Sequence, residues 1–206
     1  ITTWLEPVLY LLSFGYGLGG LVGDIHLGNQ TLTYRQFIFA GVLGQSVLFQ
    51  SFFEAAYGGF IRMYYQRIFK AIATTPITLS EVLWGELLWD ASKATFAAMA
   101  VLSIGMVTGD FDPLGAVLCV PICYCAALLF SGLGLWMASL AQTIDHLSFP
   151  QYLFIFPMFL FCGVFFPITQ LPHTLQIFAA FLPLTAFLSL VRWLTLHTAF
   201  EPSSVA

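Results

Sequence analysis

Four ionisable side chains stand where an apolar chain has least use for charge: Glu54, Glu86, Asp90 and Lys93. Glu86 and Asp90 are spaced i, i+4 and Lys93 follows Asp90 by three, so all three share one face of a helix. At membrane depth each carboxylate costs about 2.5–3.5 kcal/mol on insertion scales, so such groups need partners or water. Three chemistries fit the pattern: a proton or cation relay, a carboxylate pair for acid–base hydrolysis, and a polar seam between helices softened by a local Asp90–Lys93 pair. No nucleophile–base–orienter set accompanies them. His26, His146, His173 and His197 fall in different loops, and neither H-E-x-x-H nor G-x-S-x-G occurs. Cys119, Cys123 and Cys125 form C-x3-C-x-C without a nearby His or carboxylate to complete a soft-metal site. Together with Cys162 they read as small buried hydrophobes, and no metal site is expected.

A second motif has the spacing of phosphate chemistry. In FGYGLGGLVGD (14–24), Gly15, Gly17 and Gly20 spell G-x-G-x-x-G. A dinucleotide turn needs a preceding strand and a following helix in a βαβ unit, whereas these glycines lie inside one apolar run. Gly15, Gly19 and Gly23 also recur every four residues, a small-residue stripe that lets another helix approach closely in lipid. Gly19→Leu is therefore expected to impair assembly, measured as loss of complex formation on purification.

The elements that position these residues follow from composition. Of 206 residues, 59% are apolar and only 8% charged, and the mean hydropathy is +0.90. An ordinary soluble domain is about 25% charged, so the bilayer must solvate most of this exterior. The expected fold is an all-α polytopic bundle in one transmembrane domain over 1–206. Nucleic acid is excluded as a partner, and membrane lipid is required. Five runs are long enough to cross a hydrocarbon core: about 4–23, 36–60, 83–108, 114–141 and 148–168. The row begins with Ile1 rather than Met, so a preceding segment is expected to be missing.

Orientation comes from the bases. Arg62, Arg67 and Lys70 share the 62–80 loop, while the 109–113 loop carries two acids and no base. That places 62–80 and the start of the chain on the cytoplasmic side, and 24–35, 109–113 and the segment after 168 outside. Beyond Pro167 the chain is apolar but cut by Pro172 and Pro183. Proline breaks a helix interior, so about 173–182 and 184–197 read as half-helices re-entering the outer leaflet. One kinked spanning helix is the alternative.

The 62–80 loop is the most informative. Tyr64 to Thr75 places Ile68, Phe69 and Ile72 on one side with Arg67 and Lys70 nearby, and Pro76 ends the turn. Thr78 and Glu81 then form a [ST]-x-x-[DE] capping box that starts the next helix. A short amphipathic, basic helix so held either lies in the lipid interface or docks a soluble partner.

The chain resembles the permease subunits of type-2 ABC exporters, closest to the branch of nodulation-factor (lipo-oligosaccharide) and daunorubicin-resistance permeases. The resemblance rests on EPVLYLLSFGYGLG (6–19), YRQFIFAGVLGQS (34–46), FIRMYYQRIFKAIATTPITLSEVLWGELLW (60–89), FLFCGVFFPITQLP (159–172) and LPLTAFLSLVR (182–192). It implies six spans per subunit, a homodimer, and a separate P-loop ATPase subunit that binds the ATP and Mg. It also implies that the loop carries the coupling helix, with Arg62, Arg67, Phe69, Lys70, Thr75 and Pro76 as coupling residues, and that 173–197 is re-entrant. An amphipathic helix before the first span and a sixth span after Pro202 are expected but missing. No G-x-x-x-x-G-K-[ST] occurs in the chain, so it binds no ATP by that motif and no cofactor of its own is expected. The leading reading is a bacterial inner-membrane exporter subunit for an amphipathic, lipid-linked or drug-like substrate, not itself an enzyme. A proton-coupled secondary transporter and an intramembrane enzyme using Glu54, Glu86 and Asp90 stand as alternatives.

Overall fold

The computed structural model describes residues 2–18, 24–27 and 30–196. Helix α1 (Thr2–Tyr10) runs on into a π-helical stretch, Leu11–Leu18. Strands β1 (Asp24–Leu27) and β2 (Gln30–Thr33) pair antiparallel, with Asp24 opposite Thr33 and Leu27 opposite Gln30. Thr33 then caps α2 (Tyr34–Phe53) in a capping box with Gln36. Two π-helical turns, Glu54–Gly58 and Ile61–Tyr65, prolong α2 into one rod over Tyr34–Tyr65. A short α3 (Ile68–Ile72) leads to α4 (Leu79–Val107) and α5 (Pro113–Leu140). Asp112 caps α5 by accepting a hydrogen bond from the Gly115 N–H at 2.9 Å, with Pro113 at the first helical position, where its missing donor costs nothing. Helices α6 (Ser148–Pro150) and α7 (Phe156–Phe161) are joined by a π-helical turn, and α8 (His173–Ala180) and α9 (Pro183–Leu196) close the described chain.

Among the described residues, three helices are long and apolar enough to cross a membrane: Tyr34–Tyr65, Leu79–Val107 and Pro113–Leu140. They match the runs expected at 36–60, 83–108 and 114–141, with ends shifted by little more than a turn. The first expected span, 4–23, is helical as far as Leu18, and Gly19 and Gly23 lie outside the described residues. The run expected over 148–168 needs correction, because its helix stops at Phe161. Gly163 there takes a φ of +80°, a left-handed turn that Gly adopts without a Cβ penalty, and after Pro167 the chain makes only a short 3-10 turn, Ile168–Gln170, before α8. The helices α8 and α9 meet at 83° across a short break, so the expected division of this segment is present, with Pro183 opening the second piece.

Rod α2 is the axis of the bundle. From Phe37 to Leu48 almost every side chain is buried, because α4, α5, α9 and the π-helical end of α1 surround it. At the β-hairpin end, close approach is achieved by small residues. A Cβ on Gly41 would strike the Val164 carbonyl, one on Gly44 would lie 2.5 Å from Leu188, and one on Gly115 would strike the Leu194 carbonyl. The same end carries an ion pair from Arg35 to the buried Asp110 at 2.8 Å, and Asp110 also accepts the Thr108 hydroxyl at 2.6 Å. Large apolar side chains such as Trp84, Phe96, Trp136 and Phe154 point away from the bundle, as a lipid-solvated surface requires.

Candidate functional site

At the opposite end, the four expected seam residues meet around a fifth, Arg62. The two π-helical turns of α2 are wider than α-turns, which changes the angular step and returns Arg62 over Glu54, eight residues earlier. Arg62 Nη2 lies 2.6 Å from Glu86 Oε2 and 3.5 Å from Asp90 Oδ1, and its Nη1 lies 3.4 Å from Glu54 Oε1. Lys93 Nζ is 2.7 Å from the same Glu54 oxygen and 5.2 Å from the centre of the Trp89 ring. The site therefore joins α2 to α4 through three carboxylates and two cations. Gly58 leaves room for it, since a Cβ there would sit 3.1 Å from Arg62 Nη1 and 3.2 Å from Glu54 Oε1.

Two expectations change. The local Asp90–Lys93 pair does not form: Lys93 reaches across to Glu54, and Asp90, fully buried, faces Arg62. Arg62, read as part of the loop, belongs instead to the end of the α2 rod. The spacing of Glu86 and Asp90 correctly placed both on one face, but the cation they share comes from another helix. Chemically the arrangement is a clasp. The short contacts commit Glu54 Oε1 and Glu86 Oε2 to cations, while the buried Asp90 Oδ2 has no hydrogen-bond partner among the described residues.

Beyond Arg62 the loop is exposed. Arg67 takes a φ of +54° just before α3, a left-handed turn that reverses the chain out of the rod. Phe69 is half-buried, whereas Lys70, Thr75 and Pro76 are exposed. The Thr75 hydroxyl donates to the Ile72 carbonyl at 2.6 Å, closing the end of α3. The expected Thr78–Glu81 capping box is present, with the Thr78 N–H donating to Glu81 Oε2 at 2.7 Å. Between α3 and the first turns of α4 lies a cleft of about 420 Å³ whose lining includes Ile72, Ile77, Trp89, Arg62 and Glu86. So α3 is an exposed short helix whose two ends connect directly to the clasp and to a capped spanning helix.

Of the glycine stripe, Gly15 is buried against α2, where a Cβ would meet Arg35 Cγ at 3.6 Å and Phe39 at 3.7 Å; Gly19 and Gly23 lie outside the described residues. Cys119, Cys123 and Cys162 are buried, but Cys125 is exposed, because α5 turns that position away from the bundle. Sequence reasoning gave Arg192 no role, yet its Nη2 donates to the Gly163 carbonyl at 2.6 Å and its guanidinium lies 4.0 Å from the Phe37 ring centre. It thereby ties α9 to the turn that ends α7 and to α2. The available signal was an arginine inside the apolar run LSLVRW, where a charge needs a specific partner.

The profile of the ABC-2 type transporter family matches residues 1–196. Nodulation protein J of Rhizobium leguminosarum bv. viciae is 34% identical over 187 residues, which cover 91% of this chain and 71% of that protein. Nodulation protein J of Bradyrhizobium diazoefficiens is 35% identical over 187 residues, covering 91% and 70%. The inner membrane transport permease YadH of Escherichia coli K12 is 25% identical over 197 residues, covering 94% and 75%. No solved structure gives a significant match.

Proposed function

Because the chain belongs to the ABC-2 type transporter family, and is thus a membrane-embedded transport subunit rather than a catalytic enzyme, we propose that it is the permease of an ATP-driven exporter. Two copies form the translocation pathway for an amphipathic, lipid-linked or drug-like substrate, and a separate P-loop ATPase subunit, holding ATP and Mg, supplies the energy. The start of the chain and the α3 loop lie on the cytoplasmic side of the inner membrane.

The observation that carries this reading is the mounting of α3. An exposed basic helix hangs from the α2 rod at one end and from the capped start of α4 at the other, and Arg62 clamps those two helices together a few residues away. A push on α3 is then transmitted to both spanning helices as rigid bodies. Such a lever suits a docked motor.

Purification of the full-length protein in mild detergent is expected to bring a P-loop ATPase subunit with it. Charge reversal at Arg67 or Lys70 is expected to abolish ATPase stimulation by the permease while leaving its thermal unfolding unchanged, because neither residue belongs to the clasp. Unchanged stimulation in both variants removes docking from these residues. Transport by the permease with no ATPase present, collapsing with the pH gradient, overturns the exporter reading altogether.

A further inference from the structure

On the flank of α2, between the clasp and the bundle's middle, two neighbouring spaces share Phe49 and Gln50 in their linings. The upper is a niche of about 20 Å³ among Pro7, Tyr10, Gln45, Ser46 and Ala97, enough for one water-sized group. The lower is an open cleft of about 320 Å³ over Phe53, Glu54, Tyr57 and Gly58, within the range of small-molecule sites. At 1.5 Å per residue, Gln45 and Glu54 stand roughly 14 Å apart along the rod, the length of a short amphiphile.

Gln45, Ser46 and Gln50 bring polar side chains to the niche. Gln45 is almost completely buried, and its Oε1 has no hydrogen-bond partner among the described residues. The Ser46 hydroxyl spends its proton on the Val42 carbonyl at 2.8 Å, leaving its lone pairs. A buried unmatched acceptor is costly, so the niche favours an occupant that donates a proton. The cleft below is aromatic: Phe49 lies 5.4 Å from Phe53 and 4.9 Å from Phe159 between ring centres, and Phe53 lies 6.1 Å from Tyr57. The Tyr57 hydroxyl donates to Gln151 Oε1 at 2.8 Å, fixing that ring. An organic cation is not what this surface asks for, because Glu54, the carboxylate of the cleft, already holds Lys93 and Arg62.

We propose that the Gln45–Ser46 niche and the aromatic cleft beside it form one binding site for an uncharged amphiphile, whose hydroxyl end enters the niche and whose apolar part lies along Phe49, Phe53 and Tyr57. This rests on the transporter reading, and it adds a selection rule: the polar end must donate hydrogen bonds.

The test uses the full-length permease in lipid nanodiscs and three photoreactive probes with the same diazirine-bearing decyl tail: the 1-O-glycerol ether, its di-O-methyl ether, and the primary ammonium. Labelling is read by mass spectrometry on peptides spanning Phe49 to Gly58. The glycerol ether is expected to label that segment about fivefold more than its methylated form, the worth of roughly one hydrogen bond, and Gln45→Met is expected to erase the difference. Should Gln45→Met fail to fold, Ser46→Ala is expected to reduce the ratio instead. Equal labelling by the two ethers, or a ratio indifferent to these variants, overturns the site; preference for the ammonium probe overturns its neutral character. Association of the P-loop ATPase subunit, measured on the same nanodiscs, reports separately on the transporter reading, so retained association with no probe selectivity sinks this inference alone.

Discussion

Arg62→Met is expected to lower the stability of the bundle by about 3 kcal/mol or more, the range seen when one partner of a buried ion pair is removed. The replaced guanidinium serves Glu86 at 2.6 Å and lies within 3.5 Å of both Glu54 and the fully buried Asp90. Methionine keeps most of the side-chain volume, so the loss reports on charge rather than packing. Lys93→Met is expected to cost about 1 kcal/mol or less, because the Lys93 side chain is 33% exposed and water screens its pair with Glu54. Adding Glu86→Gln to Arg62→Met should restore part of the loss, and the double-mutant cycle isolates the pairwise contribution. The measurement is reversible unfolding in mixed micelles, with ATPase stimulation followed in parallel. If Arg62→Met proves no worse than Lys93→Met, the clasp is not centred on Arg62.

This cluster also marks where sequence reading reaches and stops. The carboxylates were legible because charge at membrane depth is conspicuous, and the i, i+4 spacing of Glu86 and Asp90 fixes their common face. Their partner was not legible, since it depends on π-helical turns whose wider step brings Arg62 back over Glu54; a 3.6-residue period leaves those two residues about 80° apart around α2. The same limit explains the tail of 148–168. Apolarity there runs on past Phe161, so a hydropathy window continues the span, whereas the left-handed Gly163 ends the helix. Local capping was read more securely, because Thr78 and Glu81 act on their own backbone and need no tertiary partner. The niche at Gln45 leaves no one-dimensional signature. Its residues come from α1, α2 and α4, and one glutamine in an apolar helix is silent until its neighbours are known.

The glycines show which small residues the fold cannot exchange. Gly115 stands in the first turn of α5, and a Cβ there would strike the Leu194 carbonyl of α9. A backbone carbonyl cannot rotate aside as a leucine tip can, so Gly115→Ala must push α9 bodily from α5. The displacement would also stretch the hydrogen bond from the Asp112 N–H to the Thr195 carbonyl, now 3.1 Å. Overpacking of this kind costs about 1–3 kcal/mol and here is expected at the upper end. Gly85→Ala provides the opposite case, because nothing lies within 4 Å of a Cβ at that position of α4. Alanine is the better helix former by about 1 kcal/mol, so that variant is expected to be neutral or slightly stabilising. Thermal unfolding separates the two, and hydrogen exchange at the Asp112 amide should speed up in Gly115→Ala alone. Equal stability of the two variants, with unchanged exchange at Asp112, would mean that α9 is not seated on α5 through this glycine. The seat matters for the fold because α9 is joined to α8 at 83° and packs on both α2 and α5, so displacing it at Gly115 disturbs its packing on the rod as well.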